Sequence, residues 1–116
     1  MTLNVMLIDD HPVVRAGLRA VLNSFDGVEV VAEAADGNAE VPDGVDVVVS
    51  DIQMPGADGI ALTRRLVAAG GPPVLILTTY DTQADVVAAV EAGAMGYLLK
   101  DAPEDELYEA VRSASQ

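Results

Sequence analysis

Carboxylates follow two hydrophobic stretches of this sequence, and a hydroxyl and an amine follow two others. Asp9 and Asp10 end the first of five such stretches, and Asp51 ends the third. Thr78 ends the fourth, and Lys100, the only lysine of the chain, ends the fifth. Carboxylates that lie close together repel one another and favour protonation unless a cation lies between them. If the folded chain brings these residues together, they form an acidic site beside a hydroxyl and an amine.

The chemistry that such a site supports is phosphoryl transfer with a divalent cation. Oxygen-only ligands with room for water are what Mg²⁺ prefers. One of the carboxylates on the metal could then attack a phosphoryl group as a nucleophile. Positioning and charge neutralisation carry most of that reaction, and Mg²⁺, the Lys100 amine and the Thr78 hydroxyl would provide them.

Each of these residues also has an ordinary structural interpretation. An aspartate pair after a strand often caps a helix or forms a turn, and an aspartate before Met-Pro-Gly is often a turn former. Threonine is common in strands, and a lone lysine is usually solvated. His11 could carry phosphate or bind a metal, but its position before Pro12 favours a helix cap. Tyr97 lies inside an apolar stretch, which is typical of a core aromatic whose hydroxyl finds a partner.

The elements that must position these residues alternate between strand and helix. Short, nearly unbroken apolar runs predict strands of a parallel sheet covered on both faces, at 3–9, 28–34, 45–50, 73–78 and 95–99. Amphipathic patterns with stop signals predict helices at 12–25, 58–71, 81–93 and 103–114. Pro42 and Gly44 interrupt the segment 35–46, so we expect the second helix of the series to be short or missing.

This alternation predicts one α/β domain over residues 1–116, with a doubly wound, five-stranded parallel sheet. The natural strand order is the flavodoxin-like 2-1-3-4-5, in which ligands bind beyond the carboxyl ends of the strands. The first and third strands are neighbours in that order. The three aspartates therefore converge at one edge of the sheet, and Thr78 and Lys100 arrive from the next two strands.

Composition excludes several classes of protein. The chain has 116 residues and no cysteine, which excludes disulfides and thiolate metal sites. Its formal net charge of −13 repels phosphate backbones and anionic lipids, so we expect no direct binding to nucleic acid or membrane. No segment is typical of a signal peptide or a membrane span, and we expect a cytoplasmic protein.

The sequence resembles the receiver domain of bacterial two-component response regulators over essentially its whole length. The motifs that carry the resemblance are LIDDHPVVRAGL (7–18), SDIQMPGADGI (50–60), LILTTYD (75–81) and AGAMGYLLKDA (92–102). The first and last of these are similar to the NarL/FixJ type, whose members usually carry a helix-turn-helix DNA-binding domain after the receiver. The resemblance implies control of transcription through such an output domain, which we expect in the full protein but which is absent from this chain; a stand-alone receiver is the alternative.

The resemblance also implies a phosphoryl acceptor and its metal ligands. Asp51 matches the phosphoacceptor, which takes a phosphoryl group from a phosphohistidine of a sensor histidine kinase. Asp10 matches the acid that binds Mg²⁺ directly, and Asp9 matches the acid that helps through water. The backbone carbonyl of Gln53 matches a further ligand.

Three more positions match parts of a phosphorylation-dependent switch. Thr78 matches the hydroxyl that moves toward the phosphoryl oxygens, and Lys100 matches the cation that pairs with them. Tyr97 matches the aromatic whose rotamer couples to Thr78. Such a protein is not an enzyme apart from catalysing its own phosphorylation and dephosphorylation. The stretch 37–51 is about one helical turn shorter than in such receivers, which agrees with a weak second helix.

A dimer is expected through the first and last helices. Arg15 and Arg19 are spaced i, i+4 and should share one solvent-facing stripe of the first helix. Glu106 and Glu109 on the last helix could meet that stripe in a symmetric homodimer, although a simply solvated face is the ordinary alternative.

Three other functions stay open. A phosphatase with an aspartate nucleophile and Mg²⁺ should carry D-x-D on its first strand, whereas Asp51 is on the third strand and position 53 is Gln. A flavodoxin should have aromatic residues to stack a flavin, and only 3% of this chain is aromatic. A phosphorylation-independent interaction module on the same fold is the third alternative, and the intact acid, Thr and Lys set makes it less favoured.

Overall fold

The computed structural model describes residues 2–52, 58–78 and 83–115. Their strands are β1 Leu3–Ile8, β2 Val28–Ala34, β3 Val47–Asp51, β4 Val74–Thr78 and β5 Gly96–Leu99. Their helices are α1 Pro12–Ser24, α2 Gly59–Ala69, α3 Gln83–Ala92 and α4 Glu104–Ala114. All neighbouring strands are parallel, and the order is β2-β1-β3-β4-β5, which confirms the predicted sheet.

The sheet is covered on both faces, which explains why its central strands are apolar at most positions. All residues of β3 and β4 are buried. Between the sheet and the helices α1 and α4 lies one core layer, which includes Val5, Leu22, Val49 and Val111. The other layer lies against α2 and α3 and includes Met6, Val48, Leu62 and Ala89. Because successive strand residues point to opposite faces, each central strand contributes to both layers.

The ends of the helices follow local sequence signals. The Asp58 side chain accepts a hydrogen bond from the backbone N–H of Ala61 and so caps α2. Gly70 ends the same helix with a positive φ of 68°, a conformation that glycine adopts without strain. Pro12 is the first residue of α1, and Pro103 precedes the three acids of the first turn of α4. These boundaries agree with the predicted ones.

The connection from β2 to β3 contains no helix, as the sequence predicts. Residues 35–46 form turns, bends and irregular backbone, and Ala39 and Val41 from this segment pack against the α2 side of the core. Arg65 of α2 donates hydrogen bonds to the carbonyls of Gly37 and Ala39, at 3.0 and 2.7 Å. A side chain of the neighbouring helix therefore satisfies carbonyls that a helix would satisfy internally. None of the described helices has the length and apolarity that a membrane crossing requires.

Candidate functional site

The strand ends meet at one edge of the sheet, as the topology requires. In the parallel register, Ser50 of β3 lies beside Ile8 of β1, and Asp51 lies beside Leu77 of β4. Asp9 follows directly after the end of β1. The predicted convergence of acidic residues from the first and third strands is therefore present in the backbone itself.

Lys100 joins two of the three aspartates. Its Nζ lies 2.6 Å from Oδ2 of Asp9 and 3.1 Å from Oδ2 of Asp51. Both carboxylates are nearly inaccessible, with 1% of Asp9 and 7% of Asp51 exposed. The backbone N–H of Lys100 donates to the carbonyl of Thr78 at 2.9 Å, which fixes the residue at the end of the sheet. Lys100 is therefore an internal cation and not a solvated lysine.

Opposing effects act on the pKa of Lys100. Burial disfavours the charged ammonium and by itself lowers the pKa. The hydrogen bonds and negative charges of Asp9 and Asp51 raise it, and together they leave the pKa above its usual value. Lys100 therefore stays protonated at neutral pH and offsets part of the negative charge around it.

Asp10 brings a third carboxylate to the same point. One ligand atom each from Asp9, Asp10, His11 and Asp51 lies within 4.8 Å of the others. Among the described residues, no hydrogen bond reaches the buried Oδ1 of Asp10. The Nδ1 of His11 lies 2.9 Å from this oxygen, but no hydrogen bond joins the two atoms. A buried carboxylate oxygen without a donor favours a nearby cation, so this oxygen-rich set fits Mg²⁺.

The peptide that follows Asp51 is held on several sides. The backbone N–H of Ile52 donates to Oδ1 of Asp51 at 2.7 Å, and the hydroxyl of Ser50 donates to the Asp51 carbonyl at 2.8 Å. A Cβ on Gly59 would lie 2.3 Å from that carbonyl oxygen, so only glycine lets α2 begin this close to β3. Ser50 was not among the residues that sequence analysis selected, although it is the only hydroxyl in β3.

His11 has the backbone role of a cap without its side-chain role. It occupies the N-cap position of α1, but its imidazole makes no capping hydrogen bond. Its own backbone N–H donates to Oδ1 of Asp9 at 2.8 Å. The exposed imidazole instead lies against the carboxylate of Asp10. The capping interpretation of His11 is therefore right for the backbone and wrong for the side chain.

The remaining predicted site residues differ in their surroundings. Thr78 is buried at the end of β4, at the same edge as the aspartates. Tyr97 is 39% exposed, so its interpretation as a core aromatic is wrong. It lies on β5, which is an edge strand with no further strand beyond it among the described residues. The backbone carbonyl of Gln53, the further ligand implied by the resemblance, lies outside the described residues.

A second charged group lies beside the site. Arg15 Nε and Arg19 Nη1 of α1 lie 3.4 and 2.9 Å from the carboxylate oxygens of Glu33 on β2. Arg15 also donates to the backbone carbonyl of Asp9 at 2.8 Å. Arg19 is exposed as expected, whereas Arg15 is only partly exposed, so the expected solvent-facing stripe holds for one of the two arginines. Their long side chains reach the adjacent strand, where Glu33 offers an acid within the same chain.

A comparison with protein families agrees with this geometry. The model described as the response regulator receiver domain matches residues 5–112. The nitrate/nitrite response regulator protein NarP of Escherichia coli (strain K12) is 42% identical over 97% of this chain and 54% of its own length. The transcriptional regulatory protein LiaR of Bacillus subtilis (strain 168) is 39% identical over 98% of this chain and 55% of its own length. The chain thus spans about half the length of these curated relatives.

Solved structures give the same result for the fold. The response regulator ChrA of a heme-sensing two-component system superposes with a TM-score of 0.91 at 70% identity, over 98% of this chain and 57% of that one. A two-component response regulator of the LuxR family from Aurantimonas sp. SI85-9A1 superposes with a TM-score of 0.90 at 38% identity, over 99% of this chain and 86% of that one.

Proposed function

This chain belongs to the response regulator receiver family, and from that premise we propose that Asp51 accepts a phosphoryl group from a phosphohistidine of a sensor histidine kinase. One observation carries the proposal. Lys100 bridges Asp9 and Asp51, while a buried oxygen of Asp10 beside them has no hydrogen bond within the described chain. This edge of the sheet has the carboxylates and the cation that phosphoryl transfer requires, and one of its carboxylate oxygens accepts no hydrogen bond from the described residues.

In the transfer, a carboxylate oxygen of Asp51 attacks the phosphorus of the donor. The new O–P bond forms as the P–N bond to the donor imidazole breaks, and the imidazole nitrogen keeps the electron pair of that bond. The product is an acyl phosphate on Asp51. Hydrolysis later restores the carboxylate and releases inorganic phosphate, with water supplying the oxygen that phosphate gains. The chain catalyses both steps on itself and, in this proposal, turns over no other substrate.

The acids of the site would hold Mg²⁺ during this reaction. We assign Asp10 and Asp51 as direct ligands, Asp9 as a ligand through water and the backbone carbonyl of Gln53 as a further ligand. When bound, the ion neutralises charge on the phosphoryl oxygens and on the carboxylates. The donor chemistry supports this assignment, because the site offers several carboxylate oxygens, one of them buried and without a hydrogen bond from the described residues.

Lys100 and Thr78 would respond to the new phosphoryl group. The ammonium of Lys100, now shared between Asp9 and Asp51, gains a stronger anionic partner once Asp51 is phosphorylated. Thr78 is buried at the end of β4, and in this proposal its hydroxyl would donate to a phosphoryl oxygen. Tyr97 is exposed, so a rotation of its side chain toward Thr78 would change the surface of β5 and thereby signal the phosphorylated state.

The output of this switch is proposed to be control of transcription in the cytoplasm of a bacterium. We infer that residues 1–116 are the receiver domain of a longer regulator whose C-terminal helix-turn-helix domain contacts DNA. Relatives named as response and transcriptional regulators are about twice as long as this chain. With a net charge of −13, the receiver itself would leave DNA binding to that domain.

Homodimerisation through α1 and α4 is part of the proposal. Arg15 and Arg19 already pair with Glu33 of the same chain. They could pair with Glu106 and Glu109 across a dimer only if phosphorylation rearranged these ion pairs. We expect light scattering to give a larger mass for the protein with Mg²⁺ and acetyl phosphate than without phosphodonor. An unchanged monomer mass in both conditions would contradict a phosphorylation-dependent dimer.

The test of the core proposal is intact-mass analysis after incubation with acetyl phosphate and Mg²⁺. We expect the wild type to gain one phosphoryl group and Asp51→Ala to gain none. Asp58→Asn is a matched control, because it removes a nearby carboxylate but keeps an N-cap oxygen for α2. This control should be phosphorylated like the wild type.

Two results would overturn the proposal. A folded wild type that gains no phosphoryl group would favour the phosphorylation-independent interaction module. Continuous release of inorganic phosphate from simple phosphate esters would favour the phosphatase.

A further inference from the structure

Ser50 carries a buried hydroxyl in the middle strand of a largely apolar sheet. It is 0% exposed and lies between Ile8 of β1 and Ile76 of β4 in the register of the strands. The other positions of β3 before Asp51 are valines. A buried hydroxyl costs free energy unless it is hydrogen-bonded, and a β-branched apolar residue suits a central strand better. The position therefore carries a polar group that packing alone does not require.

The hydroxyl of Ser50 acts on the peptide that joins Asp51 to Ile52. Ser50 Oγ donates to the carbonyl oxygen of this peptide at 2.8 Å. The N–H of the same peptide donates to Oδ1 of Asp51 at 2.7 Å. Because a peptide unit is planar and rigid, holding the carbonyl also fixes the direction of the N–H. The orientation of the Asp51 carboxylate is thus tied to the Ser50 hydroxyl through one peptide plane.

A second element confines the same peptide from the side of α2. The Cα of Gly59 approaches the Asp51 carbonyl so closely that a Cβ there would lie 2.3 Å from the oxygen. The N–H of Gly59 donates to the carbonyl of Ile52 at 3.0 Å. The peptide after Asp51 therefore has little freedom to rotate while Ser50 holds it.

We propose that Ser50 is a positioning residue for phosphoryl transfer at Asp51, and this inference rests on the proposed function above. By holding the Asp51–Ile52 peptide, its hydroxyl keeps Oδ1 against the Ile52 N–H and Oδ2 toward Lys100 before a phosphodonor arrives. A carboxylate that is already oriented needs less rearrangement to reach the transition state. Ser50 touches neither donor nor metal in this scheme and acts only through the peptide.

The test compares Ser50→Ala, which removes the hydroxyl, with Ser50→Thr, which keeps it on a strand-favouring side chain. Phosphorylation of Asp51 by acetyl phosphate with saturating Mg²⁺ is followed by intact mass at several donor concentrations. Because the Asp51 carboxylate would then have to be reoriented before transfer, we expect about a tenfold lower maximal rate for Ser50→Ala. The half-saturating donor concentration should stay within about twofold, and Ser50→Thr should recover most of the rate.

Thr63→Val is the matched control. Thr63 is also 0% exposed, and its hydroxyl donates to the carbonyl of Gly59 at 2.7 Å within α2. Loss of the Thr63 hydroxyl should lower the melting temperature. Phosphorylation measured well below that temperature should proceed at the wild-type rate. The amide of Ile52 gives a second readout in unphosphorylated protein, because its hydrogen exchange should become faster in Ser50→Ala and not in Thr63→Val.

The outcomes separate this inference from the function on which it rests. If the wild type is not phosphorylated, the proposed function fails, and the Ile52 exchange rate still tests whether Ser50 holds the peptide. If the wild type is phosphorylated and folded Ser50→Ala matches it in rate and in Ile52 exchange, the positioning role is overturned. Should Ser50→Ala not fold, Ser50→Cys replaces it. The thiol of Ser50→Cys is a weaker hydrogen-bond donor than the hydroxyl, so phosphorylation should be slower than in the wild type but not abolished. A wild-type rate would refute the inference.

Discussion

Two groups of charged side chains lie near the end of β1, and their charge balances are opposite. The strand-edge cluster has three carboxylates and one ammonium, from Asp9, Asp10, Asp51 and Lys100. The Glu33 cluster has one carboxylate and two guanidinium groups, from Glu33, Arg15 and Arg19. The first has an excess of negative charge, and the second has an excess of positive charge.

Burial makes the difference between the two clusters larger. Side chains of the Glu33 cluster are partly solvated, with 29% of Glu33 and 48% of Arg19 exposed. Such ion pairs contribute little to stability, because water and salt screen them. The strand-edge cluster is largely buried, so its net negative charge destabilises the folded protein. The Glu33 cluster connects α1 to β2, whereas the strand-edge cluster keeps an excess of negative charge that favours a bound cation.

The largest effect is expected from removing the cation of the strand-edge cluster. Lys100→Met leaves the carboxylates of Asp9 and Asp51 buried without their ammonium partner. Breaking a buried ion pair from one side should lower the free energy of unfolding by about 3 kcal/mol in metal-free buffer. Phosphorylation of Asp51 should also slow strongly, because Lys100 no longer neutralises the phosphoryl oxygens. Urea unfolding and intact-mass kinetics measure the two effects.

Glu33→Gln is the matched control in the exposed cluster. It removes one charge from a comparable pair of contacts, and it should change the free energy of unfolding by less than about 1 kcal/mol. That small effect should vanish at high salt, whereas the effect of Lys100→Met should persist. Equal losses in the two variants would show that burial does not distinguish the clusters.

A smaller effect of opposite sign is expected at Asp10. Asp10→Asn relieves repulsion among the three carboxylates and should raise the free energy of unfolding by about 1 kcal/mol without metal. The same variant should lose most of the thermal stabilisation that Mg²⁺ gives the wild type. Asp43→Asn, at an exposed position of the segment 35–46, should do neither. Thermal unfolding with and without Mg²⁺ decides, and a less stable metal-free Asp10→Asn protein would contradict the argument.

The smallest effect concerns alkaline pH. The pKa of Lys100 is raised in the folded protein, so its contribution to stability is complete below the pKa of an unfolded lysine. That contribution is lost as the pH rises through the higher folded pKa. The stability difference between wild type and Lys100→Met should therefore shrink above about pH 10. Urea midpoints from pH 8 to 11 test this, and a constant difference would show that Lys100 is not coupled to the aspartates.

Much of the fold could be predicted from the sequence because the signals are local. Apolar runs, a cap such as Asp58 and a stop such as Gly70 depend on neighbouring residues. The interruption of the segment 35–46 by Pro42 and Gly44 likewise predicts a short or missing helix, and the structure has none there. Parallel topology then requires the strand ends to meet, so the general place of the acidic site follows from the order of the elements.

Side-chain partners were less predictable because they depend on distant contacts. The spacing of Arg15 and Arg19 indicates a shared helix face, but only the packing of α1 on β2 brings Glu33 within their reach. Tyr97 has the sequence context of a core residue, yet its position on an edge strand leaves it exposed. Ser50 gave only a weak signal, a single hydroxyl among valines, because serine occurs in many structural roles.

The sequence by itself determined which chemical groups stand at the ends of the strands and that a parallel sheet would gather them. The tertiary structure alone decided that Lys100 bridges Asp9 and Asp51, that Asp10 keeps a buried oxygen without a hydrogen bond in the described chain, and that Ser50 holds the peptide after Asp51. The reason is physical. Alternation of strand and helix is set by local propensity and hydrophobic period, whereas ångström-scale contacts between strand ends depend on how the two core layers pack.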